Sequence, residues 1–190
     1  FKAMSYKVAL VSCEKAAKQD LIEAQWLLAQ IYDFGLVNED AMPERAFQWY
    51  LKAAEGGLSD AQALIGESYL YAKGVKEDYE KAYYWLSKAA QQGDFYAEFS
   101  LGNLFLEGLG RDKDISSAIS WFKKSAAKQH PMSINNLAWI HATTKNKAFR
   151  NVKKAKYWAS LLKMTDENRA VFLDTKAAVF ALDGQFEQAV

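Results

Sequence analysis

The chain has 190 residues, of which 51% are apolar and 25% charged, a balance typical of a globular protein with a large core. Its net charge of +1 gives no overall attraction to nucleic acid or to an anionic membrane, and no run of 18 uncharged apolar residues predicts a membrane span. A single cysteine, Cys13, excludes an internal disulfide and a thiolate metal site, and it leaves the compartment open.

A period of 36 to 37 residues organises the sequence. Four tryptophans follow this interval, and an alanine stands three residues before each of them: Trp49, Trp85, Trp121 and Trp158. A second register places a small residue three positions before a ring; its small residues are Ala29, Gly66, Gly102 and Ala138, and its rings are Tyr32, Tyr69, Phe105 and His141. Two registers with one period indicate a repeated supersecondary unit.

Each unit is predicted to be a pair of helices, A and B. In 61–96, apolar residues recur at helical spacing over 61–69 and again over 82–90, with one apolar stripe in each stretch. Between them, Gly74 suits a left-handed helix C-cap and Asp78 suits the N-cap of helix B. Gly66 is small enough for two helices to approach closely, and Trp85 is expected to fill the space beside them. Neighbouring pairs must stack to bury these stripes, which predicts an α-solenoid.

In chain order we expect one solenoid domain over 1–190. Its predicted parts are a helix B without its helix A (6–23), three full repeats (24–60, 61–96 and 97–133), a degenerate repeat (134–169) and a partial repeat (170–190). In the degenerate repeat, "TTKNKAFRN" replaces the glycine turn. Solenoids usually carry polar capping repeats, and neither end shows one, so we expect a fragment of a longer protein.

The stretch "AQALIGESYLYAKGVKEDYEKAYYWLSKAAQQGD" resembles the Sel-one-like repeat (SLR), a relative of the tetratricopeptide repeat. The matching positions are Ile65-Gly66, Tyr69, Gly74-Val75, Asp78, Lys81-Ala82, Trp85 and Lys88-Ala89-Ala90. The strong match covers about residues 24 to 133, and the last segment looks more like a tetratricopeptide helix A. The resemblance implies an all-α, right-handed superhelix of antiparallel helix pairs. It also implies bacterial signalling, cell-envelope or host-contact complexes, so the cell envelope, the periplasm and the cytoplasm all stay open.

No convergent set of catalytic or metal-binding residues is evident in the sequence. His141 occupies the ring position of the repeat, which favours a core-facing side chain with a satisfied hydrogen bond, whereas His130 precedes Pro131 and is expected in a solvated loop. The turn "EGLGRD" lacks the Lys-Ser/Thr of a phosphate-binding loop. We therefore expect no enzyme, no metal, no cofactor and no small-molecule substrate.

The resemblance implies that helices A line a concave groove that binds a protein or peptide segment. The groove-facing positions lie three before, one after and five after the small residue of each helix A. The expected partner-binding residues at these positions are Trp26, Gln30, Phe34, Glu67, Tyr71, Phe99, Asn103, Glu107, Asn135 and Trp139. Ala63 and Thr143 occupy the other two groove-facing positions. Such a mixture of aromatic and amide side chains is typical of protein interfaces. Burial of Trp26, Phe99 and Trp139 against a neighbouring helix A is the structural alternative.

Three alternatives stay open. In the first alternative, the chain is an accessory domain of an enzyme or signalling protein whose active part lies outside it. In the second, the open ends of the solenoid associate end to end. The third alternative rests on charge, because residues 1–100 carry a net charge of −5 and 145–169 a net charge of +6. Nucleic-acid or anionic-surface binding would use Lys145, Lys147, Arg150, Lys153, Lys154 and Lys156. A solvated helix face beside an acidic neighbour explains the same charges, and nucleic acid is the less favoured partner.

Overall fold

A computed structural model describes residues 2–36, 40–165 and 168–184, with side chains from Leu10 onward, and every regular element in these ranges is an α-helix. The helices are α1 (Lys2–Ala17), α2 (Ile22–Asp33), α3 (Pro43–Glu55), α4 (Ser59–Tyr71), α5 (Tyr79–Gln91), α6 (Phe95–Glu107), α7 (Ile115–Ala127), α8 (Pro131–Thr143), α9 (Val152–Ser160) and α10 (Arg169–Leu182). Even-numbered helices occupy the predicted A positions and odd-numbered helices the B positions, which confirms the helix-pair prediction. The end of the predicted partial repeat, 185–190, lies outside the described residues.

The chain divides into two compact units, Phe1–Lys113 and Asp114–Val190. In the first unit, each helix from α1 to α5 packs on the next one in sequence, and α4 also contacts α6. In the second unit, α8 contacts α7, α9 and α10, and α9 also contacts α10. The single domain over 1–190 and its repeat boundaries stay a prediction.

Gly66 brings α4 and α5 together, as its position in the repeat predicts. A Cβ at this glycine would lie 2.5 Å from Cγ of Leu86 and 3.1 Å from the Leu86 backbone nitrogen. Leu86 is fully buried, so it has no free space into which it can move. The absence of a side chain at position 66 is therefore a packing requirement of the A/B pair.

The turns from α1, α3, α5 and α7 to the next helix repeat one conformation. Its left-handed residue is Asp20, Gly57, Gly93 or Gln129, with φ between 58° and 99°. The next residue then donates its backbone N–H to a carbonyl five residues earlier, as in Leu58 to Ala53 at 3.1 Å and Asp94 to Ala89 at 3.1 Å. These bonds satisfy the free carbonyls at the end of helix B, so the turn is a Schellman-type C-cap.

The turn from helix A to helix B corrects one prediction and confirms another. The left-handed C-cap of α4 is Ala72, with φ 56°, and Gly74 adopts a positive φ two residues later. In the next repeat, a glycine takes the cap itself, at Gly108. Asp78 is the N-cap of α5, as predicted, because its Oδ1 accepts a hydrogen bond from the Lys81 backbone N–H at 3.0 Å.

The repeated tryptophans are less buried than their predicted role requires. Trp85 is buried, whereas Trp49, Trp121 and Trp158 are half-buried. The lysine three residues later lies over the ring in three repeats, and Lys124 Nζ is 3.8 Å from the Trp121 ring centroid. Trp49, Trp85 and Trp121 therefore each combine partial or full burial with contact to an ammonium group.

The core of the second unit contains a buried polar cluster that overturns the expectation for His130. His130 is the N-cap residue of α8 and is 7% exposed, not solvated. Its Nδ1 lies 2.9 Å from the Ser133 hydroxyl, which donates to the Ser125 hydroxyl at 2.8 Å. Both serines are fully buried, and their small side chains leave space for the imidazole ring.

Candidate functional site

An open cavity of about 410 Å³ lies across successive helices A of the first unit. Trp26 of α2 and Tyr96 of α6 supply aromatic rings, and Ala63 and Leu64 of α4 supply aliphatic surface. Three acidic side chains complete the lining: Asp60, Glu67 and Asp94. Because the lining comes from three repeats, stacking of the repeats creates this surface.

Packing from helix B positions the tryptophan of this cavity. The Trp26 ring lies 5.1 Å from the Tyr50 ring of α3, at an interplanar angle of 58°. The Tyr50 hydroxyl donates to Oδ2 of Asp33 at 3.4 Å. Burial first, and then the Asp33 carboxylate, raise the Tyr50 pKa well above its usual range, so this hydroxyl stays protonated.

A second, smaller cavity of about 130 Å³ adjoins the first and shares Leu64 and Glu67 with it. Asp33, Tyr50 and Lys73 also line this cavity. We call the surface lined by these two cavities, with residues from α2, α3, α4 and α6, the first-unit groove.

Glu67 is the carboxylate that the two cavities share. Its Oε1 accepts a hydrogen bond from the Ser100 hydroxyl of α6 at 3.3 Å. Burial raises the Glu67 pKa and the Asp94 carboxylate adds to this effect, while Ser100 and Lys73 act in the opposite direction. A cation brought close to Glu67 would favour its ionised form, so the site is suited to a positively charged group.

The first-unit groove carries more negative than positive charge. Asp33, Asp60, Glu67 and Asp94 line it, and Lys73 is the cationic side chain among its lining residues. Aromatic faces beside carboxylates suit lysine and arginine side chains, since the rings attract the cation and the carboxylates pair with it.

The structure brings some of the predicted groove residues together and separates others. Trp26, Ala63 and Glu67 line the cavity of about 410 Å³. Burial raises the pKa of Tyr71, and the nearby Glu67 carboxylate raises it further, so Tyr71 lies close to Glu67. The remaining predicted residues of this unit do not line either cavity. Of these, Phe34 and Glu107 are exposed, and Gln30, Phe99 and Asn103 are half-buried.

The predictions for the second unit have two different outcomes. Trp139 is 43% exposed, so it is not buried by its neighbours, and Thr143 is exposed too. Asn135 is only 5% exposed, which is contrary to an open groove position. The helix that carries Asn135, α8, packs against three other helices of this unit, α7, α9 and α10.

The sequence rule missed Asp60, Tyr96 and Asp94. Asp60 and Tyr96 lie six residues before Gly66 and Gly102, in the first turn of helix A, so a rule that included this position would have found both. Asp94 is the N-cap of α6, where its Oδ1 accepts from the Ala97 backbone N–H at 2.7 Å. Capping of α6 accounts for an aspartate at this position from local sequence alone. Its place in the cavity lining depends instead on the packing of α6 near α4.

The basic segment forms an exposed surface on α9 and the loop before it. Lys153, Lys154 and Lys156 are exposed on α9. Lys156 Nζ pairs with Oδ2 of Asp183 at 2.7 Å, so an acidic neighbour already compensates one of these charges. Over the described ranges, no group of three or more His, Cys, Asp or Glu residues is arranged to hold a metal ion.

The sequence profile of the Sel1 repeat matches four consecutive segments: 22–58, 59–94, 95–130 and 131–162. The chain belongs to the Sel1 repeat family. The sequence-based identification is therefore confirmed, and it extends to the segment with the degenerate turn. No curated protein matches this Sel1 repeat chain.

Two solved structures confirm the solenoid fold of the Sel1 repeat chain. A Sel1 repeat protein from Oxalobacter formigenes is 25% identical, with a TM-score of 0.75 over 95% of this chain and 74% of that one. The protein c5321, a protective antigen of uropathogenic Escherichia coli strains with an SLR fold, is 26% identical, with a TM-score of 0.65. That match covers 93% of this chain and 43% of c5321.

Sel1 repeats form a helical repeat fold that is commonly used for protein–protein interaction, and proteins of this family are typically non-catalytic scaffolds. Among the residues that the structure describes, no helix has both the length and the apolar character to cross a membrane.

Proposed function

We propose that this Sel1 repeat protein is a non-catalytic scaffold or adaptor that binds a segment of a partner protein in the first-unit groove. One observation carries the proposal, namely the cavity of about 410 Å³ to which three successive helices A contribute side chains. An extended or helical segment laid across these helices would contact several repeats at once, as solenoid surfaces allow.

The chemistry of the groove favours a segment with a lysine or arginine side chain. The cation would lie between the rings of Trp26 and Tyr96 and pair with Glu67 or Asp60. Tyrosine and tryptophan beside polar groups are enriched among the residues that dominate binding energy at interfaces. The charge of the groove would also accelerate association with a basic segment, and salt would weaken this effect.

The test is a selection of random peptides displayed on phage against the 190-residue chain, followed by affinity measurements on the selected peptides. We expect enrichment of lysine and arginine. Tyr96→Ala should weaken binding about fivefold or more, because truncating an interface hot spot costs more than about 1 kcal/mol. Tyr84→Ala is the matched control, since Tyr84 lies on α5 outside the groove and is 52% exposed against 54% for Tyr96.

A second matched pair tests the charge. Asp60→Asn removes an exposed groove carboxylate in the first turn of α4, and Glu80→Gln removes an exposed carboxylate in the first turn of α5. Only the first change should weaken binding of the selected peptides. Peptides without basic residues, or equal losses for Tyr96→Ala and Tyr84→Ala, would reject the groove as the binding site.

A further inference from the structure

Another cavity, of about 360 Å³, lies within the unit Asp114–Val190 and is lined mostly by polar atoms. One face of α7 supplies Ser116, Ser120 and Lys123, which recur at helical spacing and therefore point in one direction. Lys154 of α9 and His141 of α8 complete its polar lining. Among the residues that the structure describes, no acidic side chain lines this cavity, in contrast to the first-unit groove.

His141, which lines this cavity, has one ring nitrogen without a hydrogen-bond partner in the described part of the chain. The residue is 2% exposed, as its position in the repeat predicts, and its Nδ1 lies 2.6 Å from the carbonyl oxygen of Phe149. A carbonyl only accepts, so Nδ1 carries the proton and donates this bond. The other ring nitrogen, Nε2, is buried without a hydrogen-bond partner in the described part of the chain. Buried polar atoms are rarely left unsatisfied, so a bound group that pairs with Nε2 would complete the site.

We propose that this cavity binds a phosphate group. The ammonium groups of Lys123 and Lys154 would pair with its charged oxygens, and the hydroxyls of Ser116 and Ser120 would donate to them. A monoprotonated phosphate also has an O–H group that donates to the neutral Nε2 of His141. This combination of two cations, two hydroxyl donors and one buried acceptor distinguishes phosphate from an anion that lacks a proton.

The titration of His141 agrees with this arrangement. Burial lowers its pKa, the bond to Phe149 raises it, and the charges of Lys154 and Lys123 lower it further. These groups face His141 from α9, from the loop before α9 and from α7. The imidazole is therefore held neutral in the free protein, and an anion between the two lysines would offset their charges and raise the His141 pKa.

The phosphate has two sources that share its charged oxygens, the free ion and a phosphate monoester on a partner molecule. The monoester has a second pKa of about 6, so only its monoanionic form carries the O–H group that donates to Nε2. Titration with inorganic phosphate and, separately, with phosphoserine distinguishes them. Tighter binding of phosphoserine would assign the site to a monoester, and equal or weaker binding would assign it to the free ion. This proposal is independent of the first-unit groove, because the two cavities share no residue.

The test is a pH titration of the two histidine rings by NMR, without and with inorganic phosphate, on the 190-residue chain at constant ionic strength. Phosphate should raise the pKa of His141 and leave that of His130 unchanged. His130 is an internal control, because it is also buried but does not line this cavity. Sulfate, which has no proton to donate at neutral pH, should bind about fivefold or more weakly, the effect of leaving a buried acceptor unpaired.

Substitution of the exposed lysines tests the site without disturbing the core. Lys123→Ala and Lys154→Ala should each weaken phosphate binding about tenfold, the effect of one charge-assisted hydrogen bond. Lys147→Ala is the matched control, since Lys147 is exposed on the same loop as Phe149 and does not line the cavity. An unchanged His141 pKa, or an equal effect of Lys147→Ala, would overturn the proposal.

Discussion

Replacing Gly66 by alanine should destabilise the protein, although alanine is the better helix former. The new Cβ would lie 2.5 Å from Cγ and 2.8 Å from Cδ2 of Leu86, and 3.1 Å from its backbone nitrogen. Cγ is the branch point of the side chain, so rotation of the methyl groups cannot relieve the overlap, and α4 and α5 must separate. Overpacking lowers the free energy of unfolding by about 1–3 kcal/mol, and the higher helix propensity of alanine offsets about 1 kcal/mol of this loss. With an overlap this short, we expect a net loss of about 1–2 kcal/mol.

The assay is urea denaturation followed by far-ultraviolet circular dichroism, carried out as a double-mutant cycle with Leu86→Ala. Leu86→Ala alone should cost about 2–5 kcal/mol, because it leaves a cavity in the core. It also removes Cγ and Cδ2, so Gly66→Ala added to that variant should be neutral or stabilising by up to about 1 kcal/mol. The same loss from Gly66→Ala in both backgrounds would refute the clash as its cause.

Three further predictions concern the second unit. Phe122→Ala should lower the free energy of unfolding by about 3–5 kcal/mol, measured by thermal and urea unfolding, because this ring is fully buried; a loss below about 1 kcal/mol would contradict that packing. Asn151→Ala should cost about 1 kcal/mol through the lost N-cap bond of α9, and Asn151→Asp should restore most of it in the same assay. Burial lowers the pKa of His130 and of His141 from 6.5, so the unfolded chain takes up more protons. The free energy of unfolding should therefore fall as the pH drops below about 6.5 toward the lowered values, and a stability that rises from pH 7 to pH 6 would contradict the burial.

Local sequence predicted the helices and many of their ends. Helical spacing over 61–69 and 82–90 defined α4 and α5, since one apolar face per helix is a local property of the chain. Asp78 was identified as an N-cap from its own position, because a capping side chain bonds to a residue three positions away. The left-handed cap at Ala72 was not predicted, because intrinsic preference favours the nearby Gly74 and the packing of the turn decides which residue takes the conformation.

The candidate sites were predicted only in part. Trp26 and Glu67 followed from the repeat register, while Asp60 and Tyr96 lie at a register position that the rule omitted. The cavity around His141 was not predicted, although His141 itself was expected to face the core. Its two lysines, Lys123 and Lys154, lie on two helices and converge only when both pack beside α8.

The sequence by itself determined the repeat, the alternation of helices A and B, the small residue at their close contact and the family. These properties depend on spacings within about one repeat, which helical geometry converts directly into faces and turns. The tertiary structure alone decided which side chains stay accessible and which charges share a cavity. Exposure of Trp139, burial of Asn135 and His130, and the contrast between an acidic groove and a basic cavity all depend on which neighbouring helices cover each face. Burial and electrostatics add over all neighbours in space, so they are fixed only when the helices are assembled.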